Sequence, residues 1–179
     1  YFRCDGDGKW IHRGLMLGTL AIVHDGSYMP KVDRSVCSAA FMIYCTRTKM
    51  CAKGAVVEST ADADNYRAEI LEGIMVQFVL QAASQNRACP YVTTQIDCNN
   101  RGVVQHGNTP KWALQAKKVQ DDVLSCLKRQ IMYLPFSVDC QWVPSHQGDH
   151  QKWNELTLRE KMNVIVDRQA KLALIARVV

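Results

Sequence analysis

The spacing of apolar residues changes near residue 60, and this change limits the folds open to the chain. Before it, apolar stretches of strand length at 15–24, 35–45 and 53–59 are separated by turn residues. After it, apolar side chains recur every three or four residues from Ile70 to Val79, which is the spacing of one helix face. Three strands with short connections predict an antiparallel meander, and the helix after them predicts a crossover.

The rest of the chain continues this alternation. Residues 91–97 and 136–143 have strand patterns, residues 98–105 and 111–131 have helical ones, and a last helix is predicted over 163–177. A right-handed crossover from the third strand places the fourth strand beside the first. We therefore expect an α/β fold with a five-stranded mixed sheet, in the order 3-2-1-4-5, flanked by helices.

The length of 179 residues is typical of one domain. Residues 1–14 are polar and rich in glycine, so we expect an N-terminal extension or linker before a domain over 15–179. The first residue is Tyr1 rather than Met, and we expect the chain to be cut from a longer polypeptide. No apolar run is long enough to span a membrane.

The net charge and the cysteines limit the partners, the kinds of site and the cellular compartment expected for the protein. The net charge of +5 permits a polyanionic partner without requiring one. None of the eight cysteines forms a CxxC pair, which argues against a zinc ribbon or a thioredoxin-type site. We expect buried thiols in a reducing compartment and therefore an intracellular protein, cytoplasmic or nuclear or both.

Four acids lie on four different predicted elements. Asp25 lies on the first strand, Glu69 on the crossover helix, Asp97 at the end of the fourth strand and Asp167 in the last helix. The predicted topology can bring all four to one edge of the sheet. Four such carboxylates require protons or divalent cations to offset their repulsion, and Mg²⁺ or Mn²⁺ suits oxygen ligands. Two such ions can bind the attacking water and the leaving oxygen of a phosphoryl displacement.

Five short motifs surround these acids: HDGSY at 24–28, NYRAEI at 65–70, IDC at 96–98 followed by GVV at 102–104, WVPSH at 142–146 and NVIVDRQA at 163–170. In this order they resemble (T)DGS, NxRAE(I/L), DSxxxxxGI, WVxGH and NxxxDxxA, the motifs of the ribonuclease H family, type 1. The resemblance covers roughly residues 18–177.

The resemblance implies an endoribonuclease that hydrolyses the RNA strand of RNA/DNA hybrids. It implies that Asp25, Glu69, Asp97 and Asp167 hold two Mg²⁺ ions, for which Mn²⁺ can substitute. It also implies that His146, on a polar loop, assists proton transfer or product release, and a histidine is suited to carry protons near neutral pH.

Five further residues are candidates for contact with the substrate. Asn65 matches the family position that touches RNA 2′-hydroxyl groups, although a helix N-cap is an alternative role. Lys31 and Arg34 can reach a phosphate or belong to a solvated hairpin. Trp112, beside several lysines, can stack on a sugar or base or belong to the core. Asn163 shares a face of the last helix with the fourth acid, and we expect that face to point at the metals.

The sequence also departs from the family pattern. Ser145 replaces the glycine before the loop histidine, and the segment 146–167 is longer than in compact members. In this the chain resembles ribonuclease H domains attached to the reverse transcriptases of eukaryotic retroelements, which implies a reverse transcriptase domain in the same polypeptide. Three apolar residues in the long segment, Leu156, Leu158 and Met162, are expected to dock on the core.

Other functions remain open from the sequence. A free-standing cellular ribonuclease H would carry the same motifs. A non-catalytic connection or binding module would be marked by the loss of a carboxylate, and all four are present. An integrase or resolvase of the same fold would lack the NxRAE and DSxxxxxGI contexts.

Overall fold

A computed structural model describes residues 1–84, 92–109, 120–145 and 147–178. In this part of the chain, one mixed sheet is flanked by helices on both faces, and no helix is long and apolar enough to cross a membrane. The elements are β1 (Phe2–Cys4), α1 (Lys9–Met16), β2 (Leu20–Tyr28), β3 (Val36–Cys45), β4 (Cys51–Ser59), α2 (Asn65–Ser84), β5 (Thr93–Cys98), α3 (Arg101–Asn108), α4 (Asp121–Tyr133), β6 (Ser137–Trp142), α5 (Gln147–His150) and α6 (Leu158–Val178).

The sheet has six strands in the order β1-β4-β3-β2-β5-β6. Strands β2, β3 and β4 form the antiparallel meander, and β5 and β6 continue the sheet as parallel strands. The predicted order of five strands is confirmed, and the predicted count is one too low. The additional strand, β1, pairs antiparallel with β4 at the edge of the sheet.

The N-terminal residues are built into the domain. The predicted boundary after residue 14 falls inside α1, whose side chains Trp10, Ile11 and Leu15 are buried in the core. The strand predicted from residue 15 begins only at Leu20, because the apolar residues before it belong to the end of α1. Gly18, at φ +60°, follows that helix end and adopts the left-handed conformation common at helix C-termini.

The last helix begins five residues earlier than predicted. Thr157 precedes it and forms a capping box with Glu160: the Thr157 backbone N–H donates to Glu160 Oε2 at 2.7 Å, and the Glu160 backbone N–H donates to Thr157 Oγ1 at 3.3 Å. The segment 144–162, predicted as mostly irregular, also contains α5. Of the helix predicted over 111–131, residues 111–119 lie outside the described part, and the described helix α4 runs to Tyr133.

Two hydrophobic clusters fix the helices against the sheet. On one face, α2 buries Val76 and Leu80 against Ile22 and Phe41 of the sheet. On the other face, α6 packs its buried residues against β2 and β3. Gly73 lets α4 approach α2 closely, because a Cβ there would lie 3.0 Å from a methyl group of Leu127. The sheet edge that carries the predicted acids is therefore held between α2 and α6.

The long segment before the last acid docks on the core through two of its three apolar residues. Leu156 and Met162 are buried, as predicted. The prediction for Leu158 is wrong: it is the first residue of α6 and is 41% exposed.

We predict that Leu156→Ala lowers the free energy of unfolding by about 2–4 kcal/mol, because it leaves a cavity where the segment docks. The matched control, Leu158→Ala, removes the same atoms from an exposed position and should change stability by less than about 0.5 kcal/mol. Urea denaturation measures both. Equal losses in the two variants would show that the segment does not dock through Leu156.

Candidate active site

Neighbouring strands place the first two acids on the same face of the sheet. In the parallel pairing of β2 with β5, Val23 lies beside Asp97, and Asp25 follows two residues later on the same face of β2. Val23 packs in the cluster that contains Val166 of α6. Asp25 and Asp97 therefore point to the α6 side of the sheet, and both are buried.

The third acid reaches the site because two backbones come close at a glycine. A Cβ on Gly26 would stand 2.7 Å from the backbone N of Glu69 and 2.8 Å from Cβ of Ala68, so only glycine allows α2 to approach β2 this closely. The approach places Glu69 near Asp25. Burial and the neighbouring Asp25 charge raise the pKa of Glu69 well above its usual range.

The fourth acid comes from α6 and is only half-buried. Asp167 accepts a hydrogen bond and ion pair from Lys171 Nζ at 2.7 Å, one turn further along the helix. Burial, and then the charge of Asp167, raise the pKa of Asp25 to about 7. Asn99 Nδ2 donates to Asp25 Oδ1 at 2.9 Å and orients that carboxylate.

These residues fit divalent cations. The donors are carboxylate oxygens, the ligands that Mg²⁺ and Mn²⁺ prefer. The raised pKa values of Asp25 and Glu69 show that the site disfavours their negative charges when no cation offsets them. Asp25, Glu69, Asp97 and Asp167 are the residues that would hold such ions.

Sequence reasoning missed an arginine at this site. Asp97 is fully buried; Gln95 Nε2 donates to its Oδ1 at 2.6 Å, and the guanidinium of Arg159 pairs with its Oδ2. Arg159, Asn163 and Asp167 are spaced four apart on one face of α6. That spacing is visible in the sequence, but the helix was predicted to begin only at residue 163, which left Arg159 off it.

We predict that Arg159→Met increases the affinity for Mn²⁺ by about fivefold, because it removes a cation that competes for Asp97. The matched control is Arg168→Met, which removes an exposed arginine from the same helix. Electron paramagnetic resonance of free Mn²⁺ measures binding in both variants. An unchanged or weaker affinity in Arg159→Met would show that Arg159 does not compete with the ion.

The structure distinguishes the two roles considered for Asn65. Asp64 Oδ1 accepts from the backbone N–H of Arg67 at 2.6 Å, so Asp64 caps the start of α2. Asn65 is exposed, and its side-chain amide lies beside the carboxylate of Glu69, where it lowers the pKa of Glu69. Asn163 is buried on the same helix face as Asp167, and its Oδ1 has no hydrogen-bond partner within the described residues.

The other predicted contacts are separate from this cluster or outside the described part of the chain. Lys31 and Arg34 are exposed in the connection between β2 and β3. Trp112 and His146 lie outside the described residues. Trp142, the last residue of β6, is 42% exposed. The guanidinium carbon of Arg101 lies 4.4 Å from the centre of a Trp142 ring.

The exposed tryptophan is linked to the acids. Trp142 Nε1 donates to the backbone carbonyl of Asn99 at 3.0 Å, and Asn99 in turn holds Asp25. An aromatic ring, a guanidinium and a carboxylate cluster thus lie together at one end of the parallel strands.

No protein-family model matches the sequence, and no curated protein matches it. Solved structures do match. LC11-RNase H1 in complex with an RNA/DNA hybrid is 11% identical with a TM-score of 0.66, over 89% of this chain and 99% of that one. The N-terminal RNase H domain of Rv2228c from Mycobacterium tuberculosis is 15% identical with a TM-score of 0.57, over 88% and 94%.

Prototype foamy virus protease-reverse transcriptase is 13% identical with a TM-score of 0.57, over 86% of this chain and 20% of that one. All three similarities cover at least 86% of this chain. The protein therefore has the ribonuclease H fold.

Proposed function

We propose that this protein is a divalent-metal-dependent ribonuclease that hydrolyses the RNA strand of RNA/DNA hybrids. The observation that carries the proposal is a grouping of acids from separate elements: Asp25 interacts electrostatically with Glu69 and Asp167, and Asp97 lies on the adjacent strand β5. It occurs on a fold shared with LC11-RNase H1, which was crystallised with an RNA/DNA hybrid.

The four carboxylates would hold two Mg²⁺ ions, or Mn²⁺ in their place. Bound there, the ions supply an activated water and offset the charge that develops on the phosphate. Asn99 keeps Asp25 Oδ1 oriented, and Lys171 limits the movement of Asp167. Arg159, when released from Asp97, is placed to pair with a substrate phosphate through its planar guanidinium.

Asn65 would favour a hybrid over duplex DNA, and other exposed residues would bind either nucleic acid. Asn65 offers an exposed amide beside Glu69, where it can donate to and accept from an RNA 2′-hydroxyl group. Trp142 and Arg101 offer a flat surface for a sugar or base, and the exposed Lys31 and Arg34 add positive charge for phosphates.

Three further parts of the proposal rest on the resemblance. His146 would carry a proton between the reacting groups and solvent, and Trp112 would stack on the DNA strand. The protein would act inside the cell as one domain of a retroelement reverse transcriptase. The fold shared with prototype foamy virus protease-reverse transcriptase supports this last point.

The test uses an end-labelled RNA/DNA hybrid, incubated with the protein in Mg²⁺, in Mn²⁺ and in EDTA. We expect cleavage of the RNA strand alone, only with metal, leaving 5′-phosphate and 3′-hydroxyl ends. Single-stranded RNA, duplex RNA and duplex DNA serve as controls. Cleavage of duplex DNA at the same rate as the hybrid, or no cleavage with either metal, would overturn the proposal.

A further inference from the structure

A second group of metal-ligating side chains lies on the opposite face of the sheet from Asp25. His24 pairs with Cys98 in the parallel register of β2 and β5, so their side chains point to the same face, toward α2. Glu69 approaches them from α2. One ligand atom from each of His24, Glu69 and Cys98 lies within 4.8 Å of the others, and all three residues are buried.

The chemistry of this group differs from that of the four carboxylates. Imidazole nitrogen, thiolate sulfur and carboxylate oxygen together are ligands of Zn²⁺, whereas Mg²⁺ is bound through oxygen. Cys98 Sγ lies 3.7 Å from Glu69 Oε2. Two ligands of one tetrahedral zinc ion are about 3.5 Å apart, so this pair needs little movement to share an ion.

A fourth buried residue, Glu72, lies next to His24. Glu72 is fully buried; its Oε1 accepts from the backbone N–H of Ala40, and its Oε2 lies 3.5 Å from His24 Nδ1. Neither Oε2 nor Nδ1 has a hydrogen-bond partner within the described residues.

The second ring nitrogen of a metal-binding histidine usually donates to a carboxylate, and Glu72 Oε2, 3.5 Å from His24 Nδ1, is close enough to accept such a bond after a small movement. If Nδ1–H donates to Glu72, Nε2 is the atom left to bind an ion. Glu72 Oε2 and His24 Nδ1 are buried and lack hydrogen-bond partners among the described residues. This is a second observation that points to a ligand, and it is independent of the distances within the cluster.

We propose that His24, Cys98 and Glu69 form a site for Zn²⁺ or a similar thiol-binding divalent ion, with Glu72 as a positioning residue behind His24. Binding displaces the proton of the Cys98 thiol and gives a zinc–sulfur bond. Because Glu69 also belongs to the four-carboxylate site, Zn²⁺ bound here withdraws it from Mg²⁺. The expected consequence, inhibition by Zn²⁺, rests on the proposed function, but the site itself does not.

Cobalt is the probe for the site, because thiolate bound to Co²⁺ gives an intense near-ultraviolet charge-transfer band. The full chain is titrated with Co²⁺, and Zn²⁺ is then added. We expect the band in the parent protein, its loss on adding Zn²⁺, and its absence in Cys98→Ser. Cys140→Ser, which alters another buried cysteine, is the matched control and should keep the band.

A band that persists in Cys98→Ser would overturn the proposal, as would its absence from the parent protein. Circular dichroism verifies that each variant is folded. X-ray absorption at the zinc edge of the parent protein gives a result that needs no variant: we expect one sulfur ligand at about 2.3 Å. A zinc environment without sulfur would equally overturn the site.

The inhibition is measured separately in the hybrid-cleavage assay with Mg²⁺ in excess. We expect Zn²⁺ to slow the parent protein more than tenfold at concentrations that leave Cys98→Ser unaffected, each compared with its own zinc-free rate. If the band depends on Cys98 but no hybrid is cut, the site stands and the proposed function fails. If hybrid is cut and no band forms, the function stands and the site fails.

Discussion

Asp25→Asn should reduce hybrid cleavage to background while leaving the protein at least as stable as the parent. The carboxylate is lost as a metal ligand, but the amide oxygen still accepts the hydrogen bond from Asn99. A residue needed only for folding would behave in the opposite way, since its replacement would lower stability as well as activity. Cleavage rate and thermal unfolding in EDTA are measured on the same samples.

The stability gain of Asp25→Asn should depend on pH. The folded-state pKa of Asp25 is raised to about 7, so between about pH 4 and pH 7 the folded protein binds more protons than the unfolded chain. The free energy of unfolding of the parent therefore falls as pH rises through this window. The variant has no titrating carboxyl at this position, so its free energy of unfolding does not fall for this reason. We expect little difference near pH 4 and a gain of about 1–3 kcal/mol near pH 8. A variant less stable than the parent at both pH values would make Asp25 a structural residue.

Gly26→Ala should lower both stability and activity. The added Cβ meets the backbone of Glu69 and Ala68 rather than a flexible side chain, so α2 must move away from β2. Overpacking of this kind costs about 1–3 kcal/mol, and the movement separates Glu69 from Asp25.

The neighbouring Ser27→Ala is the control for Gly26→Ala, because it alters the same buried strand without adding an atom. We expect it to cost less than about 1.5 kcal/mol and to retain activity. Urea denaturation and the hybrid assay measure both variants. A Gly26→Ala protein with parental stability and rate would show that the close approach of α2 is not needed to place Glu69.

The sequence predicted five of the six strands and their order because β2, β3 and β4 are largely apolar runs with short connections, and because the order of elements allows few topologies. It did not predict β1, which has three residues, is exposed at Phe2 and is defined by its pairing with distant residues of β4. The start of α6 was also missed, although Thr157 and Glu160 carry the capping-box pattern. In that case the signal was present in the sequence.

The candidate site, like the fold, was predicted from the sequence only in part. The elements that carry the four acids follow from the motifs, and the topology follows from the order of elements. The ion pair between Arg159 and Asp97 depends on how α6 lies across β2 and β3, which no local pattern encodes. Likewise, only the structure shows that Asp64 caps α2 and that the amide of Asn65 lies beside Glu69.

The most direct test of the carboxylate site is anomalous diffraction from crystals grown with Mn²⁺. We expect Mn²⁺ peaks about 2.1–2.3 Å from carboxylate oxygens of Asp25 and Asp97, with Arg159 displaced from Asp97. Glu69 and Asp167 should complete the ligands. Crystals with no Mn²⁺ peak at these four residues, and with Arg159 still paired with Asp97, would contradict it.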